Sequence, residues 1–287
     1  MVHLSDFHYW YITGSIKQLI NKRVLGTFNL IINRAREFDH EKDFLLIRKI
    51  KEIKNEDIII TGDFTSTSLD REYQRAMRFI QSLSDSGSAI FVIPGNHDRY
   101  TFESAKERRF EKYFNRWQIS PGKSVQSKDR GTYFLILLDQ AWPNFISSRG
   151  GMSQKALYEI SEVLNTIDTS EIPIIIAGHY PLLKSTPYYT MSWQRDMKNA
   201  GRLRNILGHS EKTIFYLCGH VHKQYCLEDP LYPNIMYISC GAPFSRKNGR
   251  KMLKFNEITI NEKEWCIDSH YFDGKWCREN IFYRVIQ

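Results

Sequence analysis

The chain has 287 residues, 42% hydrophobic and 25% charged, which is enough for a full core and excludes an intrinsically disordered chain. Forty Lys and Arg against 32 Asp and Glu leave a formal charge of +8, which suits polyanionic partners such as nucleotides, nucleic acids or anionic lipid surfaces. No run of 18 apolar residues occurs, so a spanning helix is absent from the sequence, and five cysteines without a CxxC pair or a signal-peptide pattern point to a reduced, cytoplasmic protein.

Taken in chain order, short apolar runs alternate with stretches of helical periodicity, the pattern of an α/β fold. The runs are Val2 to Leu4, Asp57 to Thr61, Ala89 to Ile93, Tyr133 to Leu138, Ile172 to Ala177 and Thr213 to Cys218. Helices are expected at Lys22 to Phe38, His40 to Lys54, Asp70 to Ser84, Phe102 to Trp117, Ser153 to Ile167 and Trp193 to Leu207. After Gly219 the pattern changes to alternating segments near Ile235 to Ile238, Met252 to Ile260, Glu264 to Phe272 and Ile281 to Val285, which read as antiparallel strands. No repeat, linker or composition break divides the chain, so residues 1–287 are expected to form one domain. Only the run Met1-Val2-His3-Leu4 stands before Ser5 and the first motif, against about five or six residues in an ordinary strand, which leaves room for a longer natural N-terminus carrying a membrane anchor.

Nearly every run delivers a polar residue at its C-terminal end. Five motifs stand there in order: Asp6-Phe7-His8, Gly62-Asp63, Gly95-Asn96-His97-Asp98, Gly178-His179 and Gly219-His220-Val221-His222. They supply two Asp, one Asn and four His suited to metal ligation. Residues i and i+2 of an extended segment project to one side, so Asp6 with His8, and His220 with His222, can each reach one site. Asp-x-His alone is a weak signal, but Gly-Asn-His-Asp after a strand arises by chance on the order of once in a thousand such chains, and the ordered set removes coincidence. His3, His40, His209 and His270 lie outside the motifs and are assigned structural roles.

With these motifs the sequence resembles the calcineurin-like metallophosphoesterase superfamily, over residues 2 to 222. The resemblance implies two stacked mixed sheets flanked by helices, and hydrolysis of a phosphate ester or diphosphate by a hydroxide shared between two divalent ions. It implies that Asp6, His8 and His222 bind the first ion, that Asn96, His179 and His220 bind the second, and that Asp63 bridges both. His97 would then serve as proton donor to the leaving group, with Asp98 holding its other ring nitrogen. A mixed nitrogen and oxygen ligand set without thiolate favours Mn²⁺, with Fe or Zn²⁺ as alternatives. Arg99, directly after the motif, is a candidate phosphate clamp.

For the substrate, residues 21–34 form a basic amphipathic stretch with Leu25, Phe28, Ile31 and Ile32 at helical spacing, suited to an anionic lipid or an inner-membrane surface. The aromatic segment Pro187 to Trp193 is placed to line an acyl or base pocket. A Lys-Arg-x-Leu-Gly segment at 22–26, Gly-Asp-Phe-Thr-Ser at 62–66 and Gly-His-Tyr-Pro-Leu at 178–182 resemble the chlamydial-type UDP-2,3-diacylglucosamine pyrophosphohydrolases of lipid A synthesis. The same motif order occurs in class III cyclic-nucleotide phosphodiesterases, and non-catalytic scaffolds share the fold. A phosphorylated small molecule or nucleotide-lipid is thus the expected substrate. A nuclease is disfavoured because no aromatic-basic strip of the kind that tracks single strands is evident.

Overall fold

The structure, a computed structural model, describes residues 1–11, 37–85, 87–167, 172–247, 250–251, 253–261 and 263–285. The expected helix at Lys22 to Phe38 and the basic stretch at 21–34 therefore lie, but for Glu37 and Phe38, outside the described residues.

Twelve strands build two six-stranded sheets: β1 (Val2–Leu4), β2 (Asp57–Ile60), β3 (Ala89–Val92), β4 (Val125–Asp129), β5 (Phe134–Leu138), β6 (Ile174–Ala177), β7 (Ile214–Cys218), β8 (Gln224–Glu228), β9 (Ile235–Cys240), β10 (Lys254–Ile260), β11 (Glu264–Asp273) and β12 (Lys275–Val285). The first sheet has the order β12-β11-β10-β1-β2-β3 and the second β8-β9-β7-β6-β5-β4. Strands β1, β2 and β3 run parallel, as do β5, β6, β7 and β9, while β4, β8 and the β10–β12 meander join antiparallel. The expected sandwich of two mixed sheets is thus present. One strand differs from expectation: Ile235 to Ile238 lies in β9, which pairs parallel with β7 and antiparallel only with β8.

The side-chain period of two explains the layering. In β2, Ile58 and Ile60 point to the helices α1 (Asp43–Ile53) and α2 (Asp70–Ser84), while Ile59 points between the sheets. In β6, Ile174 and Ile176 point to the outer helices, and Ile175 and Ala177 inward. Every one of these residues is fully buried, so the central strands read as continuous apolar runs. Full burial of one such side chain stabilises by about 1.5–3 kcal/mol.

Two expected helices are broken. Phe102 to Trp117 divides into α3 (Phe102–Lys106), α4 (Arg109–Phe114) and a 3₁₀ turn at Asn115–Trp117, because Arg108 between them is left-handed at φ 50°. Helix α5 (Gln154–Thr166) starts where expected, with the Ser153 hydroxyl accepting from Ala156 N–H. The last helix, α6 (Ala200–Gly208), begins seven residues later than Trp193, since Met197–Lys198 pairs with Gly150–Gly151 and holds the preceding segment as a loop.

Candidate metal centre and substrate cavity

The motif residues converge past the C-terminal ends of β1, β2, β3, β6 and β7. Asp6, His8, Asp63 and His222 bring ligand atoms within 4.8 Å of one another, and Asp63, His179 and His220 form a second such group. Asp63 belongs to both. Its Oδ2 lies 3.6 Å from His8 Nε2 and 3.5 Å from His179 Nε2, while its Oδ1 accepts from the His97 backbone N–H at 2.8 Å. Asn96 completes the second group, with Oδ1 at 2.9 Å from His220 Nδ1 and 3.2 Å from His179 Nε2.

The way the paired residues reach the site differs from the extended geometry expected. Asp6, His8, Asp63, His220 and His222 all adopt left-handed backbone conformations, with φ between 50° and 68°. That conformation is uncommon for residues with a Cβ and persists where surrounding bonds over-determine it. Here Asp6 N–H donates to Gly62 O and His8 N–H to Asp63 O, both at 2.9 Å, lacing the first two motif turns together. The His220 N–H points at both oxygens of Asp6, each at 3.1 Å. Close approach explains the glycine before that turn. A Cβ on Gly219 would land on Ser5 Oγ and Asp6 Oδ2.

Hydrogen bonds outside the cluster set which ring nitrogen faces in. His179 Nδ1 donates to Thr61 O at 2.7 Å, leaving Nε2 as the lone pair inside, whereas His220 Nε2 donates to Arg195 O at 2.9 Å, leaving Nδ1 inside. His8 Nε2 and His222 Nε2 approach to 2.9 Å across the Asp6 and Asp63 carboxylates. Inward lone pairs around buried carboxylates form a site that needs a cation. The electrostatics agree. Burial opposes protonation of His179, yet Asp63 and Asp6 push its pKa up to about 9, while burial and the charges of His179 and Arg195 hold His220 well below its usual range. The donor set therefore fits divalent metal ions.

Two assignments need correction. Asp98 does not hold His97: its carboxylate accepts from Phe64 N–H, Thr65 N–H, the Thr65 hydroxyl and Gly95 N–H, while His97 Nδ1 donates to Ser66 O at 2.8 Å. Asp98 thus organises the loops around His97. Burial and the neighbouring Asp63 raise its carboxyl to about 7. Arg99 does not reach the cavity either. Its guanidinium is held by Glu111 and Asp139, tying α4 to the end of β5.

A cavity of about 440 Å³ lies over the cluster, lined by Asp63, Asn96, His97, His220 and His222 from the motifs. The ring of Tyr100 stacks on His97 at 5.4 Å. Arg195, Gln194, Ser148, Ile146 and Glu37 complete much of the wall. None of these carried a motif signal. Arg195 stands in a stretch whose periodicity suggested helix, and only the loop before α6 turns it toward the ligands. The aromatic segment 187–193 does not line this cavity. Tyr188 instead stacks on Tyr225, and Trp193 is exposed beside Gln194.

Fold and site together define a metal-binding αββα class of protein. The model of the calcineurin-like phosphoesterases matches residues 1–224, and the chain belongs to that family. It is 28% identical over 186 residues to a probable glycerophosphodiester phosphodiesterase of Arcobacter nitrofigilis, a match covering 65% of this chain and 62% of that protein. It is 22% identical over 230 residues to a 3',5'-cyclic adenosine monophosphate phosphodiesterase of Escherichia coli K12, covering 79% of this chain and 71% of that protein. Among solved structures, a dimetal phosphatase from Danio rerio superposes with a TM-score of 0.66 at 13% identity, over 98% of both chains. Among the described residues no helix is long and apolar enough to cross a membrane.

Proposed function

We propose that the chain is a two-metal phosphodiesterase acting on a small phosphodiester. The observation that carries this reading is the pair of ligand groups sharing Asp63 under a cavity whose wall includes His97. Asp6, His8, Asp63 and His222 would hold one ion, and Asp63, Asn96, His179 and His220 the other. When bound, two divalent ions neutralise a phosphate group and acidify a water beside it. The thiolate-free ligand set supports Mn²⁺, with Fe and Zn²⁺ as alternatives.

The chain's own residues orient the substrate and move the proton. His97 commits Nδ1 to Ser66 O, so its proton traffic runs through Nε2 to the leaving oxygen. Asp98 fixes the loop that presents His97. Arg195 forms no ion pair among the described residues, and its guanidinium, on the cavity wall, meets the non-bridging phosphate oxygens in place of Arg99.

Both relatives above bear phosphodiesterase names, which supports a diester over the diphosphate of a UDP-linked diacyl sugar. The diacyl sugar is the second reading, favoured by the exposure of Ile146 at the cavity edge. The deciding assay strips metal by chelation, restores Mn²⁺, and compares bis-p-nitrophenyl phosphate, cyclic AMP, a glycerophosphodiester and the UDP-linked diacyl sugar. Mn²⁺-dependent turnover of the diesters is expected. Turnover of the diphosphate alone would favour the second reading, and no restored turnover on any substrate would refute both.

A further inference from the structure

Ile146 of the cavity wall belongs to a run of exposed large apolar side chains. Phe145 is 78% exposed and Ile146 84%, the two most exposed large hydrophobics among the described residues. Trp142 and Phe102 are about half exposed, and the Phe102 and Phe145 rings meet at 4.5 Å. Ile146 belongs to the cavity wall, so this patch is continuous with the site. The loop that carries it is anchored. Ser148 N–H donates to Gln194 O, and Asn144 Nδ2 donates to the carbonyls of Trp142 and Arg149. Trp193, 64% exposed, adjoins that anchor.

These groups protrude; they do not line a groove. A protruding apolar side chain is covered by something that flows around it, and a lipid–water interface does so where a rigid protein face would need a matching hollow. The charges nearby suit an anionic surface. Arg195 and Lys106 carry no ion pair among the described residues, the acids Asp139 and Asp196 are held by Arg99, Arg149 and Lys184, and of the outward acids of these segments, Glu37, Glu103 and Glu107, the last two are paired with Arg109. The whole chain carries +8.

We propose that the Phe102–Trp142–Phe145–Ile146 patch seats the cavity mouth on an anionic lipid surface, so that the substrate class is an amphiphilic phosphodiester presented at that interface. This deepens the phosphodiesterase reading and rests on it for the chemistry, though surface binding itself does not need turnover. The apolar groups enter the acyl boundary, Lys106 meets the headgroup phosphates, and a diester in the leaflet reaches the cavity past Ile146, where Arg195 takes its phosphate.

The test is co-sedimentation of the full, Mn²⁺-loaded chain with vesicles of phosphatidylcholine containing phosphatidylglycerol, against phosphatidylcholine alone. The expected result is binding to the anionic vesicles that falls at least tenfold in Phe145→Ser/Trp142→Ser. Phe44→Ser, which removes a 59% exposed ring on α1, should bind as the parent does, and circular dichroism verifies folding of each variant. Absence of binding by the parent chain overturns the proposal. So does binding that survives the double substitution and is lost only in high salt, which would make the contact one of charge alone. Hydrolysis of bis-p-nitrophenyl phosphate is measured in parallel: its absence with vesicle binding intact would sink the phosphodiesterase reading and leave the surface standing.

Discussion

Strand β2 carries a buried carboxylate at each end, and the two are neutralised in opposite ways. At its N-terminal end Asp57, 2% exposed, takes both nitrogens of a bidentate Arg130 at 3.0 and 2.8 Å together with the Tyr133 hydroxyl. Past its C-terminal end Asp63, 1% exposed, faces the imidazoles of His8 and His179 and, among the described residues, no guanidinium. Asp229 repeats the first pattern with Arg204 and Tyr237. A buried carboxyl needs a compensating charge or is held protonated. Where the chain supplies a fixed cation the acid is structural, and where it supplies inward lone pairs the acid is kept for an ion from solution.

The sharpest way to separate chemistry from ligation at the second end is His97→Ala. Metal content should stay near that of the parent while kcat falls roughly 10²–10⁴-fold on a diester with a poor leaving group. The loss should shrink with p-nitrophenolate as leaving group, since little protonation is then needed. Equal losses on both substrates would make His97 a phosphate-positioning residue.

Arg130→Met probes the other end. It strands Asp57 without its cation and should lower stability by about 3 kcal/mol, seen as a lower urea midpoint, with metal content and turnover kept. Loss of metal instead would erase the distinction between the two ends.

A smaller contrast lies between the two arginines. Arg195→Met should raise KM about tenfold with kcat little changed, the scale of one charge-assisted hydrogen bond. Arg99→Met should leave KM alone and lower the urea midpoint, because Glu111 and Asp139 lose their shared partner. The reverse outcome would return the clamp to Arg99.

The smallest effect concerns Glu72, a third kind of buried acid, with no cation partner among the described residues. Burial pushes its carboxyl up from 4.5 to about 7, although the Thr67, Leu69 and Tyr11 N–H groups donate to it. Between those values the folded chain holds a proton that the unfolded chain has released, so stability declines as pH rises through this window. Urea midpoints measured across pH 4.5 to 7.5 should show that decline, and Glu72→Gln should make it shallower, the raised Asp98 carboxyl supplying part of the remainder. An unchanged slope in the variant would assign the effect to another group.

The gathering of the motif residues was legible because each ligand sits within a few residues of a strand's C-terminal end, so the topology alone brings them together. The left-handed turns at Asp6, His8, Asp63, His220 and His222 were not, since backbone conformation there is imposed by hydrogen bonds between segments far apart in sequence. The same reason governs Asp98 and Arg99. Their partners, Phe64, Thr65, Glu111 and Asp139, come from other elements, and adjacency to His97 in the sequence says nothing about them. Strand β4 escaped notice because Gln126, Ser127, Lys128 and Asp129 are polar on an edge, where β-pairing needs no apolar face. Arg195 had no signal at all.

On this reading Asp63 joins two ion sites, one completed by Asp6, His8 and His222 and the other by Asn96, His179 and His220. Calorimetric titration of the chelated chain with Mn²⁺ tests it directly. Two equivalents are expected for the parent chain, one for His222→Ala and one for His220→Ala, with both weakened in Asp63→Asn. A single equivalent in the parent, or loss of both ions in either histidine variant with Asp63→Asn unaffected, would contradict the account.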